Sequence, residues 1–440
     1  MRTRALVLMW VGLVQTAAAQ VIIEAPDPSF GHALELDGQF LAVGAPAYNQ
    51  GQGGLWVYAW TGDYWQLRHH TRGSDGDSLG YSLALEGDLL LAGAPGARRV
   101  CWYELDSGLR EFCVQSSRSS FGRAVALTGI FAAVGSPAND RARGAVDLYI
   151  HAPAATWQHQ AELIGEADQS AFGAALSMNS ETLLIGAPLA DEPRGREAGL
   201  AYVYNRTSGS DWVLRAVLTA GDAGFGHHFG HAVALSVHQE NTYAILGAPE
   251  AQMAYLFVHR DTIWQQTDIF RPVPAMGLQQ FGHSVDLDRT IAVIGSPSGL
   301  SDRPGAVWIL DIDEFHNWYL EHRLQGGPAF GHAVRTDGSA IVIAEAGRAI
   351  YSYRQTALGR PRSPAKPPPL SAFPNPFSGP LTLELAPDVS SVRIWDLSGR
   401  LIATLSAQGR SQAVWHPGNL PAGVYWAESM GSAIQIVYLP

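Results

Sequence analysis

Residues 30–46 read FGHALELDGQFLAVGAP, and this phrase decides the fold because the chain repeats it. Six further copies begin at Leu79, Phe121, Phe172, Phe229, Phe281 and Phe330. Each copy alternates apolar and polar residues on both sides of a short turn and ends in GAP or GSP, except that the last ends in AEA at 344–346. This pattern is typical of a β-hairpin. Successive copies start 42 to 57 residues apart, a period typical of the four-stranded blades of a β-propeller.

The remainder of each period predicts two more strands. The third is an apolar run such as LWVY at 55–58, and the fourth opens near an aromatic residue: Trp65, Phe112, Trp157, Trp212, Trp264 or Trp318. Seven repeats of four strands predict an all-β protein with a seven-bladed propeller over residues 20–355. The seventh repeat lacks a fourth strand, and Val21-Ile22-Ile23 stands alone before the first repeat. We therefore expect the N-terminal strand to close the last blade beside Tyr351.

Two small residues recur in every hairpin. The GAP glycine is expected to allow a sharp exit from the second strand, with the following proline ending its pairing. The second residue after each Phe-Gly pair is always alanine or serine, which suits innermost strands that crowd around an axis: Ala33, Ser82, Ala124, Ala175, Ala232, Ser284 and Ala333.

These repeats resemble the FG-GAP repeats of the integrin α-subunit propeller and of many bacterial surface proteins. The resemblance covers residues 21 to about 355 and implies the same seven-bladed fold. Some integrin blades carry a D-x-D-x-D calcium loop between their first two strands, because calcium takes about six or more oxygen ligands. The turns here, including DG at 37–38, EGD at 86–88 and DLD at 286–288, lack three alternating acids. We therefore expect ordinary turns, with no calcium and no other cofactor.

The N-terminus predicts export. Arg2 and Arg4 precede an apolar run over residues 5–14, and residues 17–19 are small, so residues 1–19 are expected to be a signal peptide cleaved between Ala19 and Gln20. The run is too short to span a bilayer, and we expect no transmembrane segment. Forty acidic against 29 basic residues give a net charge of −11, which makes nucleic acids and anionic membranes poor partners. We expect a monomer.

The C-terminal region predicts a second domain. Residues 356–370 contain five prolines and predict an extended linker, and residues 371–440 alternate in the manner of a small immunoglobulin-like β-sandwich. That domain resembles the C-terminal sorting domain of the type IX secretion system. The resemblance implies the type IX machinery as a partner and a route through the periplasm to the outer cell surface or the medium. The matching residues are Pro374, Asn375, Pro376, Phe377, Asp396, Gly399, Arg400, Gly423 and Tyr425.

Three sets of residues are candidates for a role in binding or stability. Four histidines directly follow Phe-Gly, in blades 1, 5, 6 and 7: His32, His231, His283 and His332. They could bind a metal or an anion along one arc of the propeller mouth. Alternatively, they are half-buried strand residues that were copied with the repeat. Cys101 and Cys113 flank a predicted hairpin and are expected to form a structural disulfide in an exported protein. The longest loops beside the mouth are candidate binding surfaces, with Tyr48, Asn49, Asp191, Glu192, Arg194, Arg196, His227, His228, Asp302 and Arg303.

No catalytic motif accompanies these residues. The favoured hypothesis is a secreted or cell-surface, non-enzymatic binding or adhesion protein whose propeller loops face a protein or glycan. One alternative is a lyase- or sialidase-like enzyme with its site at the axial mouth, for which Glu35 and Asp286 are available carboxylates. A second alternative is a structural component of an extracellular matrix.

Overall fold

The structure is a computed structural model that describes most of the chain. The described residues are 4–7, 21–106, 109–152, 156–193, 195–207, 211–238, 240–260, 262–272, 280–298, 303–312, 318–354, 371–373, 377–384, 391–396, 401–406, 412–418, 420–429 and 432–439. They divide into two compact units, residues 1–359 and 360–440. The predicted linker at 356–370 lies outside the described residues.

Nearly all regular structure in the first unit is β-strand. Two strands precede the repeats, β1 (Arg4–Val7) and β2 (Val21–Glu24). Blade 1 is β3 (Ala33–Asp37), β4 (Phe40–Ala45), β5 (Gly54–Trp60) and β6 (Trp65–Arg72); blade 2 is β7 (Ser82–Glu86), β8 (Leu89–Ala94), β9 (Arg99–Glu104) and β10 (Arg110–Gln115). Blade 3 is β11 (Ala124–Thr128), β12 (Phe131–Ser136), β13 (Ala145–Ala152) and β14 (Thr156–Ile164); blade 4 is β15 (Ala175–Met178), β16 (Thr182–Ala187), β17 (Leu200–Arg206) and β18 (Trp212–Leu218). Blade 5 is β19 (Ala232–His238), β20 (Asn241–Ala248), β21 (Met253–Arg260) and β22 (Ile263–Arg271); blade 6 is β23 (Ser284–Asp288), β24 (Ile291–Ser296), β25 (Ala306–Ile312) and β26 (Trp318–Gln325); blade 7 contains β27 (Phe330–Thr336), β28 (Ala340–Glu345) and β29 (Ala349–Arg354).

These strands form a closed ring of seven antiparallel sheets, as the sequence predicted. The first strand of each blade contacts the first strand of the next, and β27 contacts β3 to close the ring. Hydrophobic side chains on facing sheets form a separate core between each pair of neighbouring blades. Among the described residues, the other short elements are a 3₁₀ turn (Pro249–Ala251) and two tight turns, α1 (Tyr48–Gly51) and α2 (Asn139–Ala142), whose central residues have positive φ and are not α-helical.

The N-terminal strand completes the last blade. β2 pairs antiparallel with β29, with Ile22 opposite Tyr351, which is the pairing that the sequence predicted. Val21 and Ile23 pack against the core between blades 7 and 1, while Ile22 is 54% exposed. Upstream, β1 adds a parallel fifth strand to the outer edge of blade 5. The rest of the predicted signal peptide, with the cleavage point between Ala19 and Gln20, lies outside the described residues.

The two glycines that mark the hairpins of blades 1 to 6 have different physical roles, and blade 7 keeps only the first of them, Gly331. The Phe-Gly glycines adopt φ between +82° and +88°, a region that residues with a Cβ rarely occupy. The GAP glycines remain within the second strand, so the expected sharp exit is wrong. Instead they allow close approach: a Cβ on Gly135 would lie 2.1 Å from the carbonyl oxygen of Gly173 in the next blade. Glycine is needed there because two backbones meet where neighbouring blades join.

The C-terminal unit has its own core and two sheets. One sheet contains β30 (Ser371–Phe373), β31 (Leu381–Glu384) and β34 (Gln412–Trp415); the other contains β32 (Ser391–Asp396), β33 (Leu401–Ser406), β35 (Gly423–Ser429) and β36 (Ser432–Tyr438). Buried side chains from both sheets, among them Leu381, Ile394, Trp415 and Tyr425, form one cluster. This is the two-sheet arrangement that the alternating sequence predicted.

Cys101 and Cys113 form a disulfide, as predicted. They lie directly opposite each other in the pairing of β9 with β10, so the bond joins the outer two strands of blade 2. No helix among the described residues is long and apolar enough to cross a membrane.

Candidate functional site

The residue after each Phe-Gly pair lies at one end of the propeller axis, because it directly precedes the innermost strand. With neighbouring loop residues such as Pro137, Pro188 and His228, all seven of these residues line a cavity of about 660 Å³. We call this cavity the mouth. The residues at the repeat position are His32, Tyr81, Arg123, Ala174, His231, His283 and His332.

Six of these seven side chains form one continuous series of contacts around the mouth. The Arg123 guanidinium lies 4.8 Å from the centre of the Tyr81 ring, and that ring lies 4.6 Å from the ring of His32. The series continues from His32 to His332 at 5.4 Å, from His332 to His283 at 5.1 Å and from His283 to His231 at 5.2 Å. The structure thus places the four predicted histidines together. The series is open at blade 4, where Ala174 has no ring.

Burial keeps the four imidazoles neutral. It lowers the pKa of His32 and of His231 to about 4 each, and that of His283 to about 3, with smaller contributions from neighbouring histidines. The pKa of His332 is also lowered by burial. At neutral pH each imidazole therefore offers one hydrogen-bond donor and one acceptor, and Arg123 supplies positive charge at one end of the series.

A metal ion does not fit the histidine arc as it stands. Among the described residues, one group of three potential ligands is close enough to share an ion, and it consists of Cys101, Glu111 and Cys113. Its two cysteines are oxidised to the disulfide, so their sulfurs are not available as thiolates. The four histidines are close as rings, but their nitrogens do not converge on one point.

A layer of charge lies deeper in the channel, on the same side as the histidines. Arg335 in blade 7 donates to Glu35 Oε1 of blade 1 through Nε and Nη2, at 2.9 and 2.8 Å. Asp286 in blade 6 accepts a hydrogen bond of 2.6 Å from the backbone N–H of Thr336. Burial raises the pKa of both carboxyl groups, and Arg335 opposes that rise.

The side chains at the same level in the other four blades are small and uncharged. In each of the other four blades, the equivalent first-strand residue pairs with the second-strand residue two positions before the GAP glycine. These first-strand residues are Ala84, Ala126, Ser177 and Ala234. The charged layer is therefore confined to blades 6, 7 and 1. Arg335 also lines the mouth, and the side chains of Glu35 and Arg335 are 17% and 29% exposed.

Among the described residues, only two of the predicted binding loops, the one in blade 4 and the one before blade 5, contact each other. In blade 4, Asp191 Oδ1 accepts from the backbone N–H of Glu197 at 2.9 Å, and Glu192 accepts from the hydroxyl of Thr219. The loop before blade 5 packs on this one, since the N–H of Gly226 donates to the carbonyl of Arg196 at 2.9 Å. His228 lies 3.9 Å from Glu197 and lines the mouth, whereas His227 packs against Gly224.

The other loop candidates serve local structure or fall outside the described residues. Tyr48 packs edge-on against Trp56 at 5.0 Å, and Asn49 donates to Gln52 at 2.6 Å. The backbone carbonyl of Arg303 accepts from Ser298 Oγ at 2.7 Å. Arg194 and Asp302 lie outside the described residues.

The sorting residues are described in part. Phe377 is buried, and its N–H donates to Val437 at 2.9 Å. Asp396 pairs with Tyr425 between β32 and β35, Gly423 begins β35, and the hydroxyl of Tyr425 donates to the carbonyl of Pro421 at 2.8 Å. The remaining predicted sorting residues lie outside the described residues: Pro374, Asn375, Pro376, Gly399 and Arg400.

The sequence places Tyr81, Arg123 and Ala174 at the repeat position of the histidines in blades 2 to 4, but it predicts no binding role for them. The contact of the Arg123 guanidinium with the Tyr81 ring, and of that ring with His32, appears only in the structure.

Comparisons with known proteins identify the tail and the fold. Residues 371–437 match a family model described as the secretion system C-terminal sorting domain. The second unit is therefore a type IX sorting tail, which implies contact with the type IX secretion machinery and export to the cell surface or secretion. No curated protein matches the chain.

Two solved structures share the propeller fold. The β-propeller domain of Myceliophteria thermophila Cps50 (Swd1) aligns with a TM-score of 0.52 and 12% identity, covering 76% of this chain and 98% of that one. A streptogramin B lyase aligns with a TM-score of 0.50 and 9% identity, covering 76% of this chain and 97% of that one. At these identities the likeness shows the fold alone.

Proposed function

We propose that this chain is an exported, non-enzymatic binding protein that presents the mouth of its propeller to a protein or glycan outside the cell. The observation that carries the proposal is the continuous series of side chains from Arg123 through Tyr81 and His32 to His231. Rings, neutral donors and acceptors, and a single cation are groups that hold a polar ligand without reacting with it. The resemblance of the repeats to FG-GAP, integrin α-like surface proteins supports an adhesive role.

The two halves of the mouth suit a ligand with polar and apolar faces. The histidine side is polar, whereas the open sector at blade 4 is lined by Ala174, Ala175, Leu176, Pro188 and Leu189. Leu189 is 36% exposed, and Phe225 in the loop before blade 5 is 75% exposed. Apolar side chains beside convergent polar groups are typical of ligand sites.

The proposal is tested by screening the exported chain on glycan and protein arrays. Tyr81→Ala and Arg123→Ser interrupt the series at its charged end and should abolish the hits. Ile130→Ser is the matched control, because Ile130 is 49% exposed in the hairpin turn at the other end of the channel. Hits that survive both mouth variants would place binding elsewhere, and an array without hits would favour a structural role in a matrix.

An enzyme with its site in the channel is the second candidate. It is favoured by Glu35 and Asp286, because carboxyl groups with a raised pKa flanking an arginine are typical of acid–base sites. The distinguishing measurement is mass spectrometry of each array ligand after incubation with the chain. A ligand altered by the wild type and left intact by Glu35→Gln would favour the enzyme, whereas unaltered ligands support binding alone.

A further inference from the structure

One position of the blade is aromatic in five of the seven blades and acidic in blade 3. It is the third-strand residue that pairs with the residue preceding the GAP glycine. Blade 3 has an aspartate at this position and blade 2 has a cysteine. The members, from blade 1 to blade 7, are Trp56, Cys101, Asp147, Tyr202, Tyr255, Trp308 and Tyr351.

The aromatic members share one packing role. Each lies edge-on to the phenylalanine of its own Phe-Gly pair, with ring centres 4.9 to 5.3 Å apart: Trp56 on Phe30, Tyr202 on Phe172, Tyr255 on Phe229, Trp308 on Phe281 and Tyr351 on Phe330. Blade 3 keeps the phenylalanine, Phe121, but has Asp147 where the second ring belongs. The smaller, charged side chain of Asp147 thus replaces a ring at this position, while Trp102 of blade 2 packs across the junction on Trp157 and Tyr149.

A cavity of about 570 Å³ lies beside this substitution, between blades 2 and 3. We call it the blade 2–3 cavity; its lining includes Asp147, Arg118, His159, Asn139, Tyr149 and Trp157. It is separate from the mouth, with which it shares no lining residue. Its volume falls in the range of small-molecule sites, about 300–1,000 Å³.

Asp147 is held rigidly inside this cavity. Its side chain is 6% exposed; Oδ1 lies 2.9 Å from Nε2 of His159, and Oδ2 lies 3.0 Å from Nε of Arg118. Arg118 is fixed in turn by Glu162, with Nη2 2.6 Å from Oε2. Tyr149 packs edge-on to His159 at 5.4 Å, and Trp157 closes the wall.

Folding alone does not account for this arrangement. Burial raises the pKa of the Asp147 carboxyl group, with Arg118 and His159 opposing the rise, so the charge costs desolvation. Replacing a buried ion pair by a well-packed apolar side chain is often neutral or stabilising, and five other blades show which aromatic side chain fits. A costly polar group retained beside an open cavity points to a ligand.

We propose that the blade 2–3 cavity binds a neutral sugar residue of a glycan. Arg118 is paired with both Asp147 and Glu162, so the charged groups of the lining already have partners and leave no free charge for an ionic ligand. Asp147 Oδ1 and the Asn139 amide oxygen can accept from hydroxyl groups, and the Arg118 and Asn139 N–H groups can donate to them. Tyr149 and Trp157 offer an apolar wall to the C–H face of a pyranose ring. This site is independent of the mouth and of whatever the mouth binds.

The test measures binding of defined sugars to the full exported chain. Saturation-transfer NMR and calorimetry are run with the methyl glycosides of mannose, glucose and galactose, with N-acetylglucosamine and with fucose. Asp147→Asn keeps the shape and removes the charge. Asp147→Tyr installs the residue of blades 4, 5 and 7 and fills the cavity. Tyr202→Phe, at the same repeat position in blade 4, is the matched control.

At least one sugar should bind the wild type and the Tyr202→Phe control equally. Asp147→Asn should weaken binding of that sugar at least tenfold. Asp147→Tyr should abolish the binding signal of the sugar without lowering the melting temperature of the protein. A crystal of the wild type soaked with the same sugar should show it against Asp147, whatever the variants do. The proposal is overturned if no sugar binds at tens of millimolar, if Asp147→Tyr binds as well as the wild type, or if N-acetyl-arginine amide binds and the sugars do not.

Discussion

Glycine at the end of the second strand of blades 1 to 6 is required by the neighbouring blade rather than by its own backbone, whereas blade 7 has Ala344 at this position. We expect Gly135→Ala to destabilise the propeller by about 3 kcal/mol or more, because its Cβ would meet a backbone oxygen that cannot move without opening the ring. Gly129→Ala is the control: it has φ +52° but no atom within 4 Å of a built Cβ. That change should cost only the backbone penalty of about 1–2 kcal/mol. Equal losses in urea unfolding would contradict the close-approach explanation.

The mouth histidines make the stability of the propeller depend on pH. Their pKa values in the folded chain lie below the ordinary 6.5, at about 4 for His32 and His231 and about 3 for His283. Below pH 6.5 these histidines therefore bind protons in the unfolded chain while they stay neutral in the folded chain. The free energy of unfolding falls as the pH drops toward 4. The slope should reach about 1.4 kcal/mol per pH unit for each histidine.

His283→Gln should reduce this pH dependence of stability by the contribution of one histidine, as measured by urea midpoints at pH 7.5, 6.0 and 5.0. Ile130→Ser, which changes an exposed side chain that does not titrate, should leave it unchanged. If both variants keep the wild-type slope, the mouth histidines are not the groups that titrate.

At the level of elements, the N-terminal strand should hold the ring closed. Ile23→Ser removes an apolar side chain that packs between blades 7 and 1, and should cost about 1–3 kcal/mol. Ile22→Ser changes the neighbouring side chain, which is 54% exposed, and should cost less than about 0.5 kcal/mol. Chemical denaturation of the two variants gives the comparison. A small loss for Ile23→Ser would show that β2 is dispensable for closure.

The disulfide should stabilise the outer half of blade 2. Reduction is expected to cost about 2–3 kcal/mol, since the bond closes a short loop between strands that already pair. The variant with Cys101→Ser and Cys113→Ser should unfold identically with and without reductant. Peptide mapping after cleavage between the two cysteines should recover them linked. Two free thiols in the exported protein would refute the bond.

At the scale of the whole molecule, the sorting tail and the propeller should separate cleanly. Each unit has its own core, so deleting residues 371–440 should leave a folded propeller. The truncated chain should be retained in the periplasm of the native host, because the tail is the part that the type IX machinery reads. Cell fractionation measures this outcome. Export as efficient as that of the full chain would show that the tail is not required, and degradation would show that the propeller needs it.

The sequence by itself determined the number of blades, the closing strand, the disulfide partners and the nature of the tail. These properties are encoded locally: alternation of period two sets which face of a strand is buried, and repeat spacing counts the sheets. Tertiary structure alone decided which blades meet. Arg335 and Glu35 are 300 residues apart and pair because the ring closes. The contact of His32 with His332 depends on the same closure. The backbone approach at Gly135 and the cavity at Asp147 depend instead on how consecutive blades pack. Distances across neighbouring blades are set by the radius and packing of the whole ring, so they cannot be predicted from any single segment of the sequence.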